Sequence, residues 1–280
     1  MPSPRSREPD PTPSDDARTD RELLDRELRV AQRIQRTLVL LTGIEAEGWE
    51  IASDYRPARS IGGDFFDVFP LLDPARPRQL GIVIADVSGK GIAAALLMAF
   101  VRPVMRSALD RSGDPVQALE LTNHILVDER RTGLFVTILA GVLELDTGRF
   151  TFANAGHEMP LLIPGDGADP RWVEGGGPLV GMFGRLDLTA ETVTLQPGDR
   201  LVLYTDGITD AASPAGDRLG IERFRDLAAG TRGGDAEATC ATVIDSVLAF
   251  QGDAEPADDL ALLVLRRLPD RRSDMAERSQ

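Results

Sequence analysis

The amino-acid sequence predicts an α+β domain built on antiparallel sheets. Three observations carry this. Apolar, strand-like runs are joined by connections too short for a helical crossover, as in GGDFFDVFPLL, DPARPRQ and LGIVIADVSGKG. Long stretches free of Gly and Pro have helical spacing of their apolar residues. Several strand-like runs also begin or end on an aspartate.

With 280 residues and 42% hydrophobic content, the chain suits one large domain with appendages. Its 31 basic and 45 acidic residues give a formal charge of -14, which repels a nucleic-acid backbone or an anionic membrane. A protein or small-molecule partner is expected, with no nucleic acid and no membrane. The single Cys240 cannot form an internal disulfide and lies in the helix-like AEATCATVIDSVLAF, so it is expected to be a buried structural thiol. The N-terminal MPSPRSREPDPTPSDD lacks the apolar centre of a signal peptide. The longest apolar stretches, residues 92–101 and 134–143, fall short of the ~20 residues a spanning helix needs. The expectation is a soluble cytoplasmic protein.

Residues 1–19 are dense in Pro, Ser, Asp and Arg and are expected to form a disordered lead. Residues 20–42 then read as an amphipathic helix, opened by Asp20 as a cap and carrying Leu24, Leu28, Ala31, Ile34, Leu38 and Leu41 at helical spacing. That helix either folds onto its own domain or pairs with a second copy as a dimerisation coiled coil. Gln35 or Thr37 interrupts either apolar seam.

Residues 43–268 form the expected folded domain. WEIASDYRPA is a candidate first strand, and the next two strands should pair antiparallel. IAAALLMAFVRPVMRSALD reads as a helix broken or kinked at Pro103, and DPVQALELTNHILVDER as a second. Two strands flank the turn DTGR. DRLVLYTDG is a strand ending at an acid, RLGIERFRDLAAG and DAEATCATVIDSVLAF are helices, and LALLVLRRL closes the domain as a strand. Residues 269–280 read as a flexible tail.

These directions place four aspartates together. In an antiparallel pair, Asp64 entering its strand neighbours Asp86 leaving the next. Asp258 and Asp206 share an edge if the last strand runs antiparallel to LVLYT. Clustered carboxylates repel and raise one another's pKa unless a cation lies between them. Asp oxygens with a backbone carbonyl are ligands that Mg2+ and Mn2+ prefer, whereas zinc favours the Cys and His that are scarce here. Asp67 and Asp210 are expected to be ordinary turn or cap residues.

The Gly-rich turn DVSGKG could serve other chemistry. A Walker A loop is excluded because its first Gly is missing and Gly91, not Ser or Thr, follows Lys90. Gly89, Gly91 and Ala94 match a dinucleotide fingerprint, but no acid-ending strand follows about 20 residues later, and Asp110 closes a helix instead. No EF-hand loop occurs. A cation site explains both the acid and the glycines, which let the Val87 carbonyl approach a metal. Lys90 is the sole lysine of the chain.

The segments AQRIQRTL, GGDFFDVF, IADVSGKGIAAALLMA, FVTILAGVLELDTGRFTFANAGHEMPLL, LQPGDRLVLYTDGITDA and PADDLALLVL run in one order over residues 31–267. Together they resemble the bacterial PP2C-type serine/threonine phosphatases of the SpoIIE and RsbU group, regulators of alternative sigma factors. The resemblance implies a four-layer α-β-β-α sandwich of two antiparallel sheets and a pair of Mn2+ or Mg2+ ions at one end. Asp86 matches the bridging ligand, the Val87 carbonyl its backbone neighbour, and Asp64, Asp206 and Asp258 the remaining carboxylates.

Asp259 falls on the second residue of the closing pair and is placed near the site rather than among the ligands. Lys90, with Gly89 beside it, is a candidate phosphate contact. His157 in NAGHEMP is read as structural and His124 as helix surface or core. The implied activity is two-metal hydrolysis of phosphoserine or phosphothreonine on a regulatory protein of the anti-sigma-factor antagonist type. The rival is a catalytically silent module that sequesters a partner, which would be expected to have lost one of these carboxylates.

Overall fold

The strands sort into two five-stranded sheets whose neighbours all pair antiparallel. The computed structural model describes residues 15–39, 44–74, 77–128 and 133–269. Its first half comprises α1 (Asp15–Val39), β1 (Trp49–Arg56), β2 (Phe65–Pro70), β3 (Gln79–Val87), α2 (Ile92–Ser112), α3 (Pro115–Asp128), β4 (Val136–Glu144) and β5 (Arg149–Ala155). The second half adds β6 (Leu161–Ile163), β7 (Arg171–Trp172), β8 (Glu191–Thr194), β9 (Arg200–Tyr204), α4 (Asp206–Thr209), α5 (Gly220–Gly230), α6 (Ala236–Gln251) and β10 (Leu260–Arg267). One sheet has the order β1-β10-β9-β6-β7 and the other β2-β3-β4-β5-β8.

Period-two alternation of side chains explains the layering. On β9 and β10, Leu201, Leu203, Ala261, Leu263 and Leu265 point into the core shared with the other sheet. Val202, Tyr204, Leu260, Leu262 and Val264 point the opposite way, against Phe224 of α5 and Val243, Ile244 and Val247 of α6. Both faces are buried, so these strands read as continuous apolar runs. Helices α2 and α3 cover the outer face of the second sheet. The result is the expected four-layer α-β-β-α sandwich.

Several local expectations need correction. Helix α1 begins at Asp15, inside the stretch assigned to a disordered lead, so Asp20 does not cap it. Residues 1–14, residues 40–42 of the expected helix and residues 270–280 of the expected tail lie outside the described residues. Helix α2 runs unbroken through Pro103. Pro103 and Ala99, whose carbonyl loses its usual N–H partner, are both exposed, so water can take up the freed carbonyl. With 21 residues, α2 has the length and apolar composition to cross a membrane, which the shorter apolar run concealed. It is a layer of the sandwich here: Ala94, Met98, Val101, Met105 and Ala108 are buried in the core.

Asp67 is not a turn residue. It sits within β2, 2% exposed, and pairs with Arg102 at 3.0 Å and Arg106 at 3.2 Å on α2. Burial pushes its pKa up, and the two guanidiniums oppose that shift.

Candidate active site

The pairing of β2 with β3 sets Phe65 opposite Ala85, so Asp64, one residue before β2, faces Asp86 near the end of β3. The two carboxyl groups act on each other, and the Thr205 side chain acts on Asp64 in the direction that lowers its pKa. Asp64 is 2% exposed. Burial, and next the charge of Asp86, raise its pKa well above the ordinary carboxylate range.

The pairing of β9 with β10 brings the second pair of acids to the same edge. Leu262 lies opposite Tyr204, Thr205 N–H donates to Ala261 O at 3.1 Å, and Ala261 N–H donates to Thr205 Oγ1 at 3.0 Å. This places Asp206, the first residue of α4, beside Asp258 ahead of β10. Burial pushes Asp206 up to about 6, with Asp86 and Asp258 as the largest charges acting on it. Asp86 is raised by burial first; Asp258 and Asp259 add to the shift, while Asp64 and Lys90 oppose it. Four chain-distant aspartates therefore sense one another electrostatically.

They do not form a finished coordination shell. Among the described residues, no three acid, His or Cys side chains lie close enough to hold an ion as they stand. Asp258 is turned toward the Lys90 ammonium, 2.9 Å away, and that ammonium also donates to the Ala257 carbonyl. The donor chemistry nevertheless fits a hard divalent cation: all donors are oxygen, burial and then neighbouring carboxylates raise the pKa of three of the acids, and Lys90 is the ammonium inside the cluster.

Asp259 has a separate task. Its carboxylate accepts from Ala58 N–H at 2.8 Å, Gly63 N–H at 2.7 Å and, more distantly, Asp64 N–H and the Tyr55 hydroxyl at 3.4 Å. Those bonds tie down the loop that delivers Asp64. The loop has no room for side chains at its two glycines. A Cβ on Gly62 would fall 1.8 Å from Asp259 Oδ2, and one on Gly63 would fall 2.9 Å from the Val87 carbonyl oxygen. The Val87 carbonyl thus abuts the loop that carries Asp64. Gly89 adopts φ 89° in the turn leading to Lys90, a conformation that favours glycine.

The remaining singled-out residues lie apart. Asp210 caps the end of α4 and pairs with Arg218 at 2.7 Å. Cys240 is buried, with its thiol pushed up to about 12, as expected of a structural cysteine. His124 lies on the helix surface, 3.4 Å from Asp128. His157 is buried, and a 2.9 Å hydrogen bond joins its Nδ1 to Thr137 Oγ1 on the strand position opposite Asp86.

One contact was missed from sequence. The Gln35 carboxamide of α1 grips Gly62, two residues before Asp64. Its only signal was a polar residue interrupting an apolar seam.

A family model described as Stage II sporulation protein E (SpoIIE) matches residues 76–268. The chain belongs to the SpoIIE family. It is 28% identical over 243 residues to the phosphoserine phosphatase RsbU of Bacillus subtilis, covering 86% of this chain and 70% of RsbU. It is 32% identical over 225 residues to protein IcfG of Synechocystis, covering 71% of this chain but 35% of IcfG. This SpoIIE-family chain thus spans about a third of IcfG's length, 35%.

Among solved structures, the SiaA-PP2C domain of Pseudomonas aeruginosa superposes with a TM-score of 0.76 at 22% identity, over 88% of this chain and 98% of that one. That likeness shows a PP2C fold. Family and fold together place the chain in the SpoIIE/RsbU group of bacterial PP2C-type phosphatases.

Proposed function

We propose that this SpoIIE-family chain is a metal-dependent protein serine/threonine phosphatase of the cytoplasm. Its proposed substrate is a phosphoserine or phosphothreonine on a regulatory protein, an anti-sigma-factor antagonist. One observation carries the reading: Asp64, Asp86, Asp206 and Asp258 come from four separate segments to one sheet edge, where burial and then the charges of their neighbours raise the pKa of three of them.

In this reading Asp86 would help to hold two Mn2+ or Mg2+ ions. The Val87 carbonyl, Asp64, Asp206 and Asp258 complete the protein ligands, and Asp259 holds the loop behind Asp64. When bound, the ions supply a water of lowered pKa and neutralise charge on the phosphoryl oxygens. Lys90 reaches the same edge on a flexible stem and contacts the phosphate as a point charge. Cys240, the chain's single thiol, is buried with a raised pKa in the other half of the sandwich and is no nucleophile for this edge. The similarity to RsbU, a phosphoserine phosphatase by name, supports a phosphoprotein substrate.

The purified chain, given a serine-phosphorylated anti-sigma-factor antagonist and Mn2+, should release inorganic phosphate, and EDTA should abolish release. Asp86→Asn should cost at least about three orders of magnitude in kcat. Wild-type turnover in that variant would overturn the two-metal reading. A chain that binds the partner but releases no phosphate under any divalent cation would favour the sequestering module instead.

A further inference from the structure

We infer that Gln35 is a positioning residue of the proposed metal site, fixing the backbone that presents Asp64. Its Nε2 donates to Gly62 O at 2.6 Å, and Gly62 N–H donates back to its Oε1 at 3.1 Å. One carboxamide thus satisfies both polar groups of a single buried peptide residue 27 positions away. Gln35 is 6% exposed, although Ile34 and Arg36 on either side of it in the helix are exposed. A buried amide is costly unless its hydrogen bonds are made, and here both ends of it are used.

The opposite flank of Gly62 is closed by Asp259 and Tyr55. A Cβ on Gly62 would lie 1.8 Å from Asp259 Oδ2 and 2.3 Å from the Tyr55 hydroxyl. Three consecutive N–H groups are thereby accounted for: Gly62 N–H by Gln35, and Gly63 and Asp64 N–H by Asp259. With the backbone held on both sides, Asp64 keeps only its side-chain torsions. Helix α1 is then part of the support of the site, because its one buried amide forms half of the clamp. Site geometry held by such outer contacts commonly decides metal affinity.

The inference rests on Asp64 being a cation ligand, so its test carries a readout that does not need the metal. Gln35→Met preserves the apolar stem and removes both hydrogen bonds, while Gln35→Glu keeps the acceptor for Gly62 N–H. Arg33→Ala, on the exposed face of the same helix, is the control. Hydrogen exchange without added metal should speed up at least tenfold at residues 62–64 in Gln35→Met and remain unchanged in β10. Calorimetric titration with Mn2+ should show affinity at least tenfold weaker, with Gln35→Glu in between and Arg33→Ala like wild type. At saturating Mn2+, kcat for p-nitrophenyl phosphate should fall while KM stays within twofold.

Wild-type exchange and wild-type Mn2+ affinity in Gln35→Met would overturn the inference. So would loss of protection spread equally over β10 and α2, which would make Gln35 a general fold residue. If the wild-type chain itself binds no Mn2+, the metal reading falls, and exchange at residues 62–64 alone decides the clamp.

Discussion

Lys90 Nζ and Asp258 Oδ2 lie 2.9 Å apart, joining the turn after β3 to the residues before β10 across the edge where the two sheets meet. The pair is partly exposed, 43% and 37% for the two side chains, so its worth is held to about 1 kcal/mol or less by solvent screening. A divalent cation would draw on the same Asp258 oxygens, and the ammonium must then give way. Lys90→Gln should therefore tighten Mn2+ binding by about two- to fivefold in calorimetric titration, less so at high salt. In the same variant KM for a phosphopeptide should rise, because the released ammonium is the proposed phosphate contact. Unchanged Mn2+ affinity together with unchanged KM would remove Lys90 from the site.

Asp258 and Asp259 are adjacent but should fail in different ways. Asp259 is 5% exposed and accepts from three backbone N–H groups, so Asp259→Ala leaves buried donors without partners. The expected loss is about 3 kcal/mol of stability in urea unfolding, with weakened Mn2+ binding as a consequence. Asp258→Ala removes a half-exposed carboxylate that pairs with Lys90 and accepts from Asp259 N–H. Stability should change by less than about 1 kcal/mol while Mn2+-dependent hydrolysis is lost. The reverse pattern would exchange the two roles.

The edge that gathers the aspartates was legible because it follows from chain direction. A loop between β2 and β3 too short for a helix forces antiparallel pairing, and that alone sets Asp64 beside Asp86. The acids at the ends of β9 and β10 obey the same logic. What escaped notice depends on partners far away in sequence. Asp67 resembles any surface acid until Arg102 and Arg106 arrive from α2, and Gln35 resembles a seam defect until Gly62 is folded against it. Strands of two to four residues, such as β6, β7 and β8, are too short to show a period.

Self-association through α1 has its own signature. Leu23, Leu24, Val30 and Ile34 are large, apolar and roughly half exposed on this helix. A second copy of the chain is the proposed cover. The double variant Leu24→Glu, Ile34→Glu should sediment as a monomer where the wild type sediments as a dimer, because each buried leucine-sized side chain contributes about 1.5–3 kcal/mol. A wild-type chain that is monomeric at high micromolar concentration would remove α1 as a dimer interface.

His157 gives the fold a pH dependence of defined sign. Burial pushes its imidazole from 6.5 down to about 4, its Nε2 is buried without a hydrogen-bond partner, and the Tyr204 backbone opposes the shift only in part. Its backbone is locked as well: His157 N–H donates to Asn154 Oδ1 at 2.7 Å, and its carbonyl accepts from Asn154 Nδ2 at 2.9 Å. Between these two pKa values the unfolded chain holds a proton that the folded chain does not. Acidification therefore favours unfolding, beginning as pH drops through 6.5 and complete near pH 4, with a total effect of about 3 kcal/mol. The raised carboxyls of Asp64, Asp86 and Asp206 act in the opposite direction, because they take up protons earlier in the folded chain. The contribution of His157 is isolated by difference. Urea unfolding of wild type and His157→Gln at pH 7 and pH 4.5 should show the wild type losing about 2–3 kcal/mol more than the variant on acidification. Parallel losses in the two proteins would mean that His157 takes up its proton as readily in the folded chain as in the unfolded one and is not the buried group of depressed pKa described above.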